Sequence, residues 1–514
     1  MSASTEKKLR RAARESGNDK KAIAAAEEAA RKAKSKRRWT LGTIGVILLI
    51  AIILFLNSGF LYKSTNAVSI GGEGYSPAEV SYNYAAQYYN FANQYGDYAS
   101  IFGLDTSSGI AGLASQPCTM IEEGTWRDYF LDAALSQMVQ NQALIDYAEA
   151  QGISLTEEEL AALDANFEGL DEIASLYGFA GADNYLAANY GEGVNLDAVR
   201  RAEQQMALAS KAASEYFDSL QYDEAVLKEH YKSFEGSKDI YDYAYYYVAA
   251  TATEVTAEDG TVSSEVSEEA KAEAAAIAKD IKASYEKGED IEAALNAAVT
   301  ANVPDASCTL RSGASGSSIS SVYSQWMMGS RNQGDIEVFD DENGSYVVVF
   351  GSRDDNNYKM AQVRHILVKA IASEDGSYTD EAKAKAKQRA EELLAQWQAG
   401  DKTEESFAAM AEQYSEDAGS NTNGGLYDEV YKGMMVEEFD AFCFEGHKAG
   451  DTAIVYGDNG SYAGYHIMYY VGEGELYSDF VARNDLANTD FSQWLNDLTA
   501  PYEAKESFFM RLVG

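Results

Sequence analysis

The sequence predicts an α+β protein in which a single transmembrane helix precedes a helical domain and two similar α+β units in tandem. Three observations support this fold class. An uncharged, apolar run lies near the N-terminus, a long stretch with helical periodicity follows it, and an order of strand, helix and strand then occurs twice. The chain has 514 residues, enough for about three domains.

The first predicted element is a membrane anchor at residues 39–62. No residue from Trp39 to Tyr62 is charged, and a helix needs about 20 apolar residues to cross a bilayer. Four basic residues between 34 and 38 precede the run, which predicts a single-pass protein of the cell membrane with residues 1–38 in the cytoplasm and the main body outside. A cleaved signal peptide is the alternative, although its charged head is normally much shorter than 38 residues.

Charge is distributed unevenly along the chain. The net charge is −41, yet residues 1–38 contain 13 basic and 5 acidic residues, a balance of +8 that leaves −49 for the remainder. So acidic a body repels phosphates, which excludes nucleic acid as its partner. Solubility is the ordinary role of this acidity, and attraction of basic clients is the alternative.

The three cysteines, Cys118, Cys308 and Cys443, fit no metal or redox motif. Free or buried thiols are therefore expected, with one disulfide left open outside the cytoplasm. No metal site and no cofactor are predicted.

Residues 66–235 are predicted to form a helical domain. A short strand around residue 70 is followed by Ser76-Pro77-Ala78-Glu79, in which Ser76 and Glu79 form a capping box. A second capping box pairs Thr156 with Glu159. From Trp126 onwards apolar residues recur at intervals of three and four, as in amphipathic helices.

An internal repeat divides residues 236–356 from 358–475. The Ala-rich segment that begins at Glu268 parallels the one that begins at Asp380, and YAYYYVAA (243–250) parallels VRHILVKA (363–370). Further on, NGSYVVVF (343–350) parallels NGSYAGYHIMYY (459–470). Three matched elements in the same order favour duplication over coincidence between Ala-rich helices.

The second unit resembles the parvulin family of peptidyl-prolyl isomerases along its whole length. The resemblance lies in an ordered set of motifs: VRHILVK (363–369), FAAMAEQYSEDAGS (407–420), GGLYDEVYKGMMVEEFDAFCF (424–444), AGDTAIV (449–455) and GYHIMYY (464–470). A helical domain followed by such units resembles the folding factors of the PrsA and SurA type. That resemblance implies that residues 476–514 return to complete the chaperone domain at 66–235.

The resemblance also implies the site. His365 and His466 match the facing histidine pair, and Asp417 matches a position that is Cys or Asp in the family. Leu426, Met435 and Phe439 match the apolar positions that hold the proline ring.

The first unit is predicted to be degenerate, because Tyr245 stands at the position of His365 and Tyr346 or a nearby aliphatic residue stands at that of His466. It is expected to be structural or to bind clients.

The expected function is a membrane-anchored extracytoplasmic isomerase and chaperone for unfolded or newly exported chains that contain X-Pro bonds. Its other predicted partner is the lipid bilayer, through residues 39–62, and a homodimer is left open. Two departures from the family favour a non-enzymatic holdase as the alternative. The loop at 424–428 reads Gly-Gly-Leu-Tyr-Asp, and Ala463 occupies a position that commonly carries a hydroxyl.

Overall fold

The computed structural model describes residues 2–17, 24, 31, 32, 34, 36, 43, 44, 46–50, 59–256, 262–373 and 376–514. It divides into two compact units. The first comprises Met1–Leu220 with Asp490–Gly514, and the second comprises Gln221–Thr489. The basic head contributes helix α1 (Ala3–Glu15), and its other residues lie mostly outside the described part.

The predicted transmembrane helix at 39–62 is wrong. Among the described residues, no helix combines the length and the apolar character that crossing a bilayer requires. Residues 39–42, 45 and 51–58 of the predicted span lie outside the description, and helix α2 (Phe60–Ser64) begins only after Gly59, whose φ is 68°. The fold class is therefore corrected to α+β, and the single-pass membrane location and the lipid contact inferred from the anchor are withdrawn with it.

The first unit is mainly helical. Its helices are α3 (Pro77–Tyr95), α4 (Gly109–Gly112), α5 (Trp126–Gln151), α6 (Glu157–Ala165), α7 (Leu170–Leu176), α8 (Ala182–Tyr190) and α9 (Leu196–Ser219). The predicted capping boxes at the starts of α3 and α6 are confirmed, and Thr125 with Asp128 forms another at the start of α5.

A small sheet joins the two ends of this unit. Strand β1 (Val68–Ile70) lies between β2 (Glu73–Tyr75) and the C-terminal strand β13 (Lys505–Glu506). Met510 and Val513 pack in the same core as Trp126 and Phe130. The last residues of the chain therefore contribute to the hydrophobic core of the N-terminal helices.

The second unit begins with α10 (Glu224–Ser233), and its described residues form two four-stranded sheets and one two-stranded sheet. The first α+β part consists of β3 (Ile240–Ala249), β4 (Ala252–Thr256), β5 (Val262–Val266), α11 (Glu268–Ser284), α12 (Ile291–Asn302), β6 (Thr309–Ser315), α13 (Ser324–Met328), β7 (Ile336–Asp340) and β8 (Gly344–Asp354). Its antiparallel sheet has the order β6-β3-β8-β7. Strands β4 and β5 pair separately.

The second α+β part repeats this topology. It consists of β9 (Lys359–Lys369), α14 (Asp380–Ala399), α15 (Glu404–Tyr414), β10 (Leu426–Val430), α16 (Glu437–Phe444), β11 (Thr452–Asp458) and β12 (Ala463–Leu476), with the sheet order β10-β9-β12-β11. Helix α17 (Tyr477–Thr499) follows. In each four-stranded sheet, with its strands counted in chain order, the first strand lies between the second and the fourth.

Alternation along β9 gives the second sheet two different faces. Ile366 and Val368 pack against α14 and α15, whereas Val363 packs with Phe439 of α16. Because side chains alternate with a period of two, His365 shares the face of Val363 and points towards the α16 side. This face carries the candidate site.

All three cysteines are free and buried, as expected. Burial raises the pKa of Cys308 to about 11 and that of Cys443 to about 12, so both thiols stay protonated and unreactive at neutral pH.

Candidate active site

Two histidines on neighbouring strands form the centre of the site. His365 pairs with Met468 and His466 pairs with Leu367, so the two side chains are diagonal neighbours on one face of the sheet. Their rings stack with centroids 5.1 Å apart, and their Nδ1 atoms are 2.9 Å apart. Each residue is only 3% exposed. The antiparallel register therefore fixes the pair.

Asp417 lies at one end of the histidine pair. Its Oδ2 atom accepts hydrogen bonds from His365 Nε2 at 2.9 Å, from Ser420 Oγ at 2.6 Å and from the Tyr427 hydroxyl at 3.0 Å. The hydrogen bond from His365, together with those from Ser420 and Tyr427, holds the pKa of Asp417 well below its usual range despite partial burial. The carboxylate is therefore ionised at neutral pH and acts only as an acceptor.

Tyr462 lies at the other end, with its hydroxyl 2.9 Å from His466 Nε2. Burial, followed by the neighbouring His365, lowers the pKa of His466 to about 3, so this ring is neutral at physiological pH. Burial raises the pKa of Tyr462, which keeps its hydroxyl protonated.

One proton arrangement satisfies all four ring nitrogens when both rings are neutral. Asp417 can only accept, so His365 donates through Nε2–H and accepts at Nδ1. His466 then donates through Nδ1–H and accepts at Nε2 from the hydroxyl of Tyr462. Asp417 and Tyr462, at the two ends of this series of hydrogen bonds, thereby determine the tautomer of each histidine.

An apolar wall borders the histidines. The ring of Phe439 meets both imidazoles edge to face, with centroids 5.4 Å from His365 and 5.3 Å from His466. Phe439 is 1% exposed, and the half-buried Met435 packs in the same cluster. Of the three residues matched to the proline pocket, the structure brings these two to the histidine face.

It does not bring Leu426 there. Leu426 pairs with Arg364, whose guanidinium contacts Glu404 of α15, so alternation directs Leu426 to the opposite face. Its neighbour Tyr427 lies on the histidine face instead, with its ring centroid 5.4 Å from that of His365.

Sequence reasoning missed three hydroxyl residues that contact the polar chain: Ser420, Tyr427 and Tyr462. Each stood beside a predicted site residue or a departure from the family. Ser420 is three residues after Asp417, Tyr427 directly follows Leu426 in the altered loop, and Tyr462 precedes Ala463. The available signal for Tyr462 was its hydroxyl, which stands next to Ala463, the position where the family commonly has a hydroxyl residue.

Two glycines allow the backbone to approach the imidazoles. Gly425 has a φ of 72° and accepts a hydrogen bond from the N–H of His365 at 2.8 Å, and a Cβ there would lie 2.2 Å from the His365 carbonyl oxygen. A Cβ on Gly457 would lie 2.5 Å from His466 Nε2. Glycine at these positions therefore makes room for the site.

Among the described residues, no group of three or more His, Cys, Asp or Glu side chains is arranged to hold a metal ion. The site offers a series of hydrogen-bonded polar side chains, centred on two buried histidines, beside an apolar wall. It contains no exposed nucleophile, and its chemistry is that of holding and desolvating a ligand.

Residues 347–469 match the family model described as the PPIC-type PPIase domain. Foldase protein PrsA 4 of Bacillus cereus is 37% identical over 124 residues, which cover 24% of this chain and 35% of that relative. The match thus spans about a third of the length of that protein.

Two solved structures are also similar. PrsA of Bacillus anthracis shares 20% identity over 29% of this chain and 59% of its own, with a TM-score of 0.18. PrsA of Bacillus subtilis shares 15% identity over 74% of this chain and 87% of its own, with a TM-score of 0.28. The family model and the sequence relative confirm the predicted resemblance. Residues 347–469 thus match the model of a parvulin-type peptidyl-prolyl isomerase domain, and 124 residues of the chain are similar to part of a PrsA foldase.

Proposed function

We propose that this chain is a peptidyl-prolyl cis–trans isomerase and a chaperone for unfolded polypeptides. The observation that carries the proposal is the hydrogen bond between the buried rings of His365 and His466, beside the ring of Phe439. In this proposal Phe439 and Met435 hold the proline ring, and His365, His466 and Asp417 provide the polar side of the site.

The reaction requires no bond to be made or cut. An X-Pro amide rotates over a barrier of about 18–20 kcal/mol, because its C–N bond has partial double-bond character. Uncatalysed exchange therefore takes tens to hundreds of seconds. Each 1.36 kcal/mol by which a site favours the twisted amide over the planar one accelerates exchange about tenfold.

The site favours the twisted amide in two ways. The planar amide carries partial negative charge on its oxygen, and an apolar wall that excludes water removes the solvation of that charge. The ionised Asp417 adds a negative potential, which further disfavours charge on the carbonyl oxygen in a buried setting. Both effects weaken resonance and so lower the barrier to rotation.

The first unit supports the chaperone part of the proposal. Several apolar side chains there are exposed to solvent, among them Ile101 at 74%, Leu176 at 82% and Tyr177 at 68%. Contiguous exposed apolar area is typical of surfaces that bind other chains, and Leu176 and Tyr177 are neighbours in the sequence. By contrast, Tyr84 and Tyr88 of α3 are buried in the core, so they do not line an aromatic groove for clients.

The experiment that tests the proposal measures cis/trans exchange of short X-Pro peptides by NMR with the full chain. We expect clear acceleration by the wild type and a loss of at least tenfold in His466→Ala. Tyr456→Phe is the matched control, because its hydroxyl donates to Asp458 in the same strand and takes no part in the histidine network. No acceleration above background by the wild type would refute the isomerase.

A holdase without catalysis is the second candidate, favoured by the exposed apolar side chains of the first unit. It is separated from the isomerase by an aggregation assay with an unfolded client. Suppression that is equal in the wild type and His466→Ala, combined with absent peptide exchange in both, would establish the holdase in place of the enzyme.

A further inference from the structure

The first α+β part contains a cleft at the position of the candidate active site. Tyr243 pairs with Phe350 in one sheet as Val363 pairs with Tyr470 in the other. Two residues further along, Tyr245 corresponds to His365. Since Tyr346 pairs with Tyr247 as His466 pairs with Leu367, Tyr346 corresponds to His466. The two parts therefore present equivalent positions on equivalent faces.

Aromatic rings replace the polar chain in this cleft. The ring centroids of Tyr245 and Tyr346 are 6.0 Å apart, and that of Tyr323 is 5.3 Å from Tyr346 and 6.0 Å from Tyr243. Burial raises the pKa of both Tyr323 and Tyr346, so their hydroxyls stay neutral. The cleft contains no imidazole at the positions equivalent to His365 and His466, and no carboxylate lines it.

The cleft is lined by tyrosines and by small polar residues, and Tyr245 and Tyr346 are its partly exposed rings. It encloses about 560 Å³ between four tyrosines on one side and the Gly/Ser-rich segment 312–320 on the other, with Arg311 at its edge. Arg311 is exposed at the edge of the cleft, and its guanidinium has donors for carbonyl groups. Volumes of about 300–1,000 Å³ are typical of ligand sites.

We propose that this tyrosine cleft, defined by Tyr243, Tyr245, Tyr323 and Tyr346 with Arg311, binds extended proline-containing segments of clients without isomerising them. The inference rests on the proposed function, since the equivalent face of the second part is where proline would be held there. Aromatic-lined grooves bind polyproline II segments, because proline rings pack on aromatic faces and the segment is extended before it binds. With no polar chain beneath the amide, the cleft holds proline but has no means to lower its rotation barrier.

Such a cleft changes the affinity of the protein for clients that contain more than one proline segment. Strands β8 and β9 are joined through residues 355–358 alone, so the cleft and the isomerase site lie on neighbouring parts of one chain. A client held at the first site reaches the second as an intramolecular ligand, at an effective concentration on the order of millimolar. We therefore expect a lower KM for clients with two proline segments and no change for short single-proline peptides.

The test uses the full chain with His466→Ala and a fluorescein-labelled decapeptide of alternating Ala and Pro. Fluorescence anisotropy gives its affinity, and a decapeptide with Ala in place of every Pro is the reference probe. We expect the pair Tyr245→Leu and Tyr346→Leu to weaken binding about tenfold, because two aromatic contacts with the proline rings are lost. The matched pair Tyr245→Phe and Tyr346→Phe keeps the rings and should bind within about twofold of the parent chain.

Two further measurements make the outcome decisive. In the wild-type background, exchange of a single-proline tetrapeptide should be unchanged by either pair, which shows that the second part remains folded and separates this proposal from the isomerase itself. Unchanged decapeptide affinity in the Leu pair would overturn the cleft, and so would equal affinity for the all-alanine probe. Loss of binding in the Phe pair as well would assign it to the hydroxyls and overturn the ring-stacking mode.

Discussion

At the scale of single residues, the candidate site depends on what terminates its hydrogen-bond chain. The hydrogen bond between the two histidines leaves the Nε2 atom of each ring without a partner. Asp417 is the partner of His365 Nε2, and Tyr462 is the partner of His466 Nε2. Ala463 removes the hydroxyl that the family commonly has three residues before the second histidine. Tyr462, one residue earlier, places its hydroxyl 2.9 Å from Nε2 of His466.

We predict that Tyr462→Phe lowers kcat/KM for X-Pro peptides about tenfold. The change leaves a buried acceptor, His466 Nε2, without its donor, a loss of about 1–3 kcal/mol. It should also mix the tautomers of His466, which ¹⁵N NMR of the imidazole detects directly. The NMR signature separates a positioning role from a general loss of structure.

The control for this variant is Tyr456→Phe, which removes a hydroxyl on β11, the neighbour of β12, that donates to Asp458 of the same strand. It should leave both the rate and the histidine spectrum unchanged. A Tyr462→Phe protein with wild-type ¹⁵N shifts and full activity would show that the phenol does not determine the tautomer.

A second prediction concerns pH. The folded protein keeps His466 neutral down to a pKa of about 3, whereas the unfolded chain takes up a proton near pH 6.5. Between these values the unfolded state binds more protons, so the free energy of unfolding falls as the pH is lowered. Between pH 7 and pH 4.5 the free energy of unfolding, read at the amides of β12, should fall by about 2–3 kcal/mol.

Hydrogen exchange of the amides of β12, corrected for intrinsic rates, measures this loss. Asp417 does not contribute in that range, because a carboxyl with a lowered pKa is ionised above pH 4.5 in both states. His466→Gln cannot titrate and should lose correspondingly less protection over the same interval. Equal pH dependence in the two proteins would contradict a depressed pKa for His466.

The sequence predicted the site residues that lie in motifs, and it missed those whose role depends on a contact with another segment. His365, Asp417 and His466 stood in motifs, whereas the pairing of Tyr462 with His466 needed the local path of the chain before β12. Leu426 was assigned to the pocket by its motif position, yet strand alternation puts Tyr427 on that face. A shift of one residue reverses the face, and a motif alone does not fix that register.

At the scale of elements, strand β10 is held against β9 by a glycine. Gly425 precedes β10, has a φ of 72° and accepts the amide of His365 at 2.8 Å. A side chain there meets the backbone of His365 and not a movable side chain, so the strand itself must move. The position of Tyr427 over the site therefore depends on Gly425.

We predict that Gly425→Ala destabilises the second part by about 2–4 kcal/mol and reduces activity strongly. Strain at positive φ contributes on the order of 1 kcal/mol, and the backbone clash adds overpacking of about 1–3 kcal/mol. Gly433→Ala is the matched control, because Gly433 has a φ of 81° and open space around it. Thermal unfolding and the exchange assay measure both variants, and an equal effect of the two would contradict a role for the close contact.

Helix starts were more predictable than the membrane span. Capping boxes are local, so Ser76 with Glu79 and Thr156 with Glu159 correctly indicated where α3 and α6 begin. The apolar run at 39–62 was assigned from composition over a window. A span also requires an unbroken helix of about 20 residues, and the part of the chain that the structure describes contains none with the necessary apolar character.

At the scale of the molecule, a buried polar cluster connects elements of the 221–489 unit. Asp239 is 1% exposed and forms an ion pair with Arg353 at 2.6 Å and a hydrogen bond with Tyr231 of α10 at 2.9 Å. Asn356, in the link between β8 and β9, joins the same cluster. A polar network of this kind is stable only while every member keeps its partner.

Asn356 is the residue on which this cluster depends. Its amide donates to the Tyr231 hydroxyl at 2.9 Å and to the Lys238 carbonyl at 2.8 Å, and it is 1% exposed. Asn356→Asp tolerates the same φ of 58° but removes both donors and buries a charge, so we expect a loss of about 2–4 kcal/mol and faster proteolysis at 355–358. The control Asn357→Asp adds the same charge at an exposed neighbour and should change neither quantity. If both variants resist protease and heat as the wild type does, the link between the two sheets is held by packing rather than by this amide.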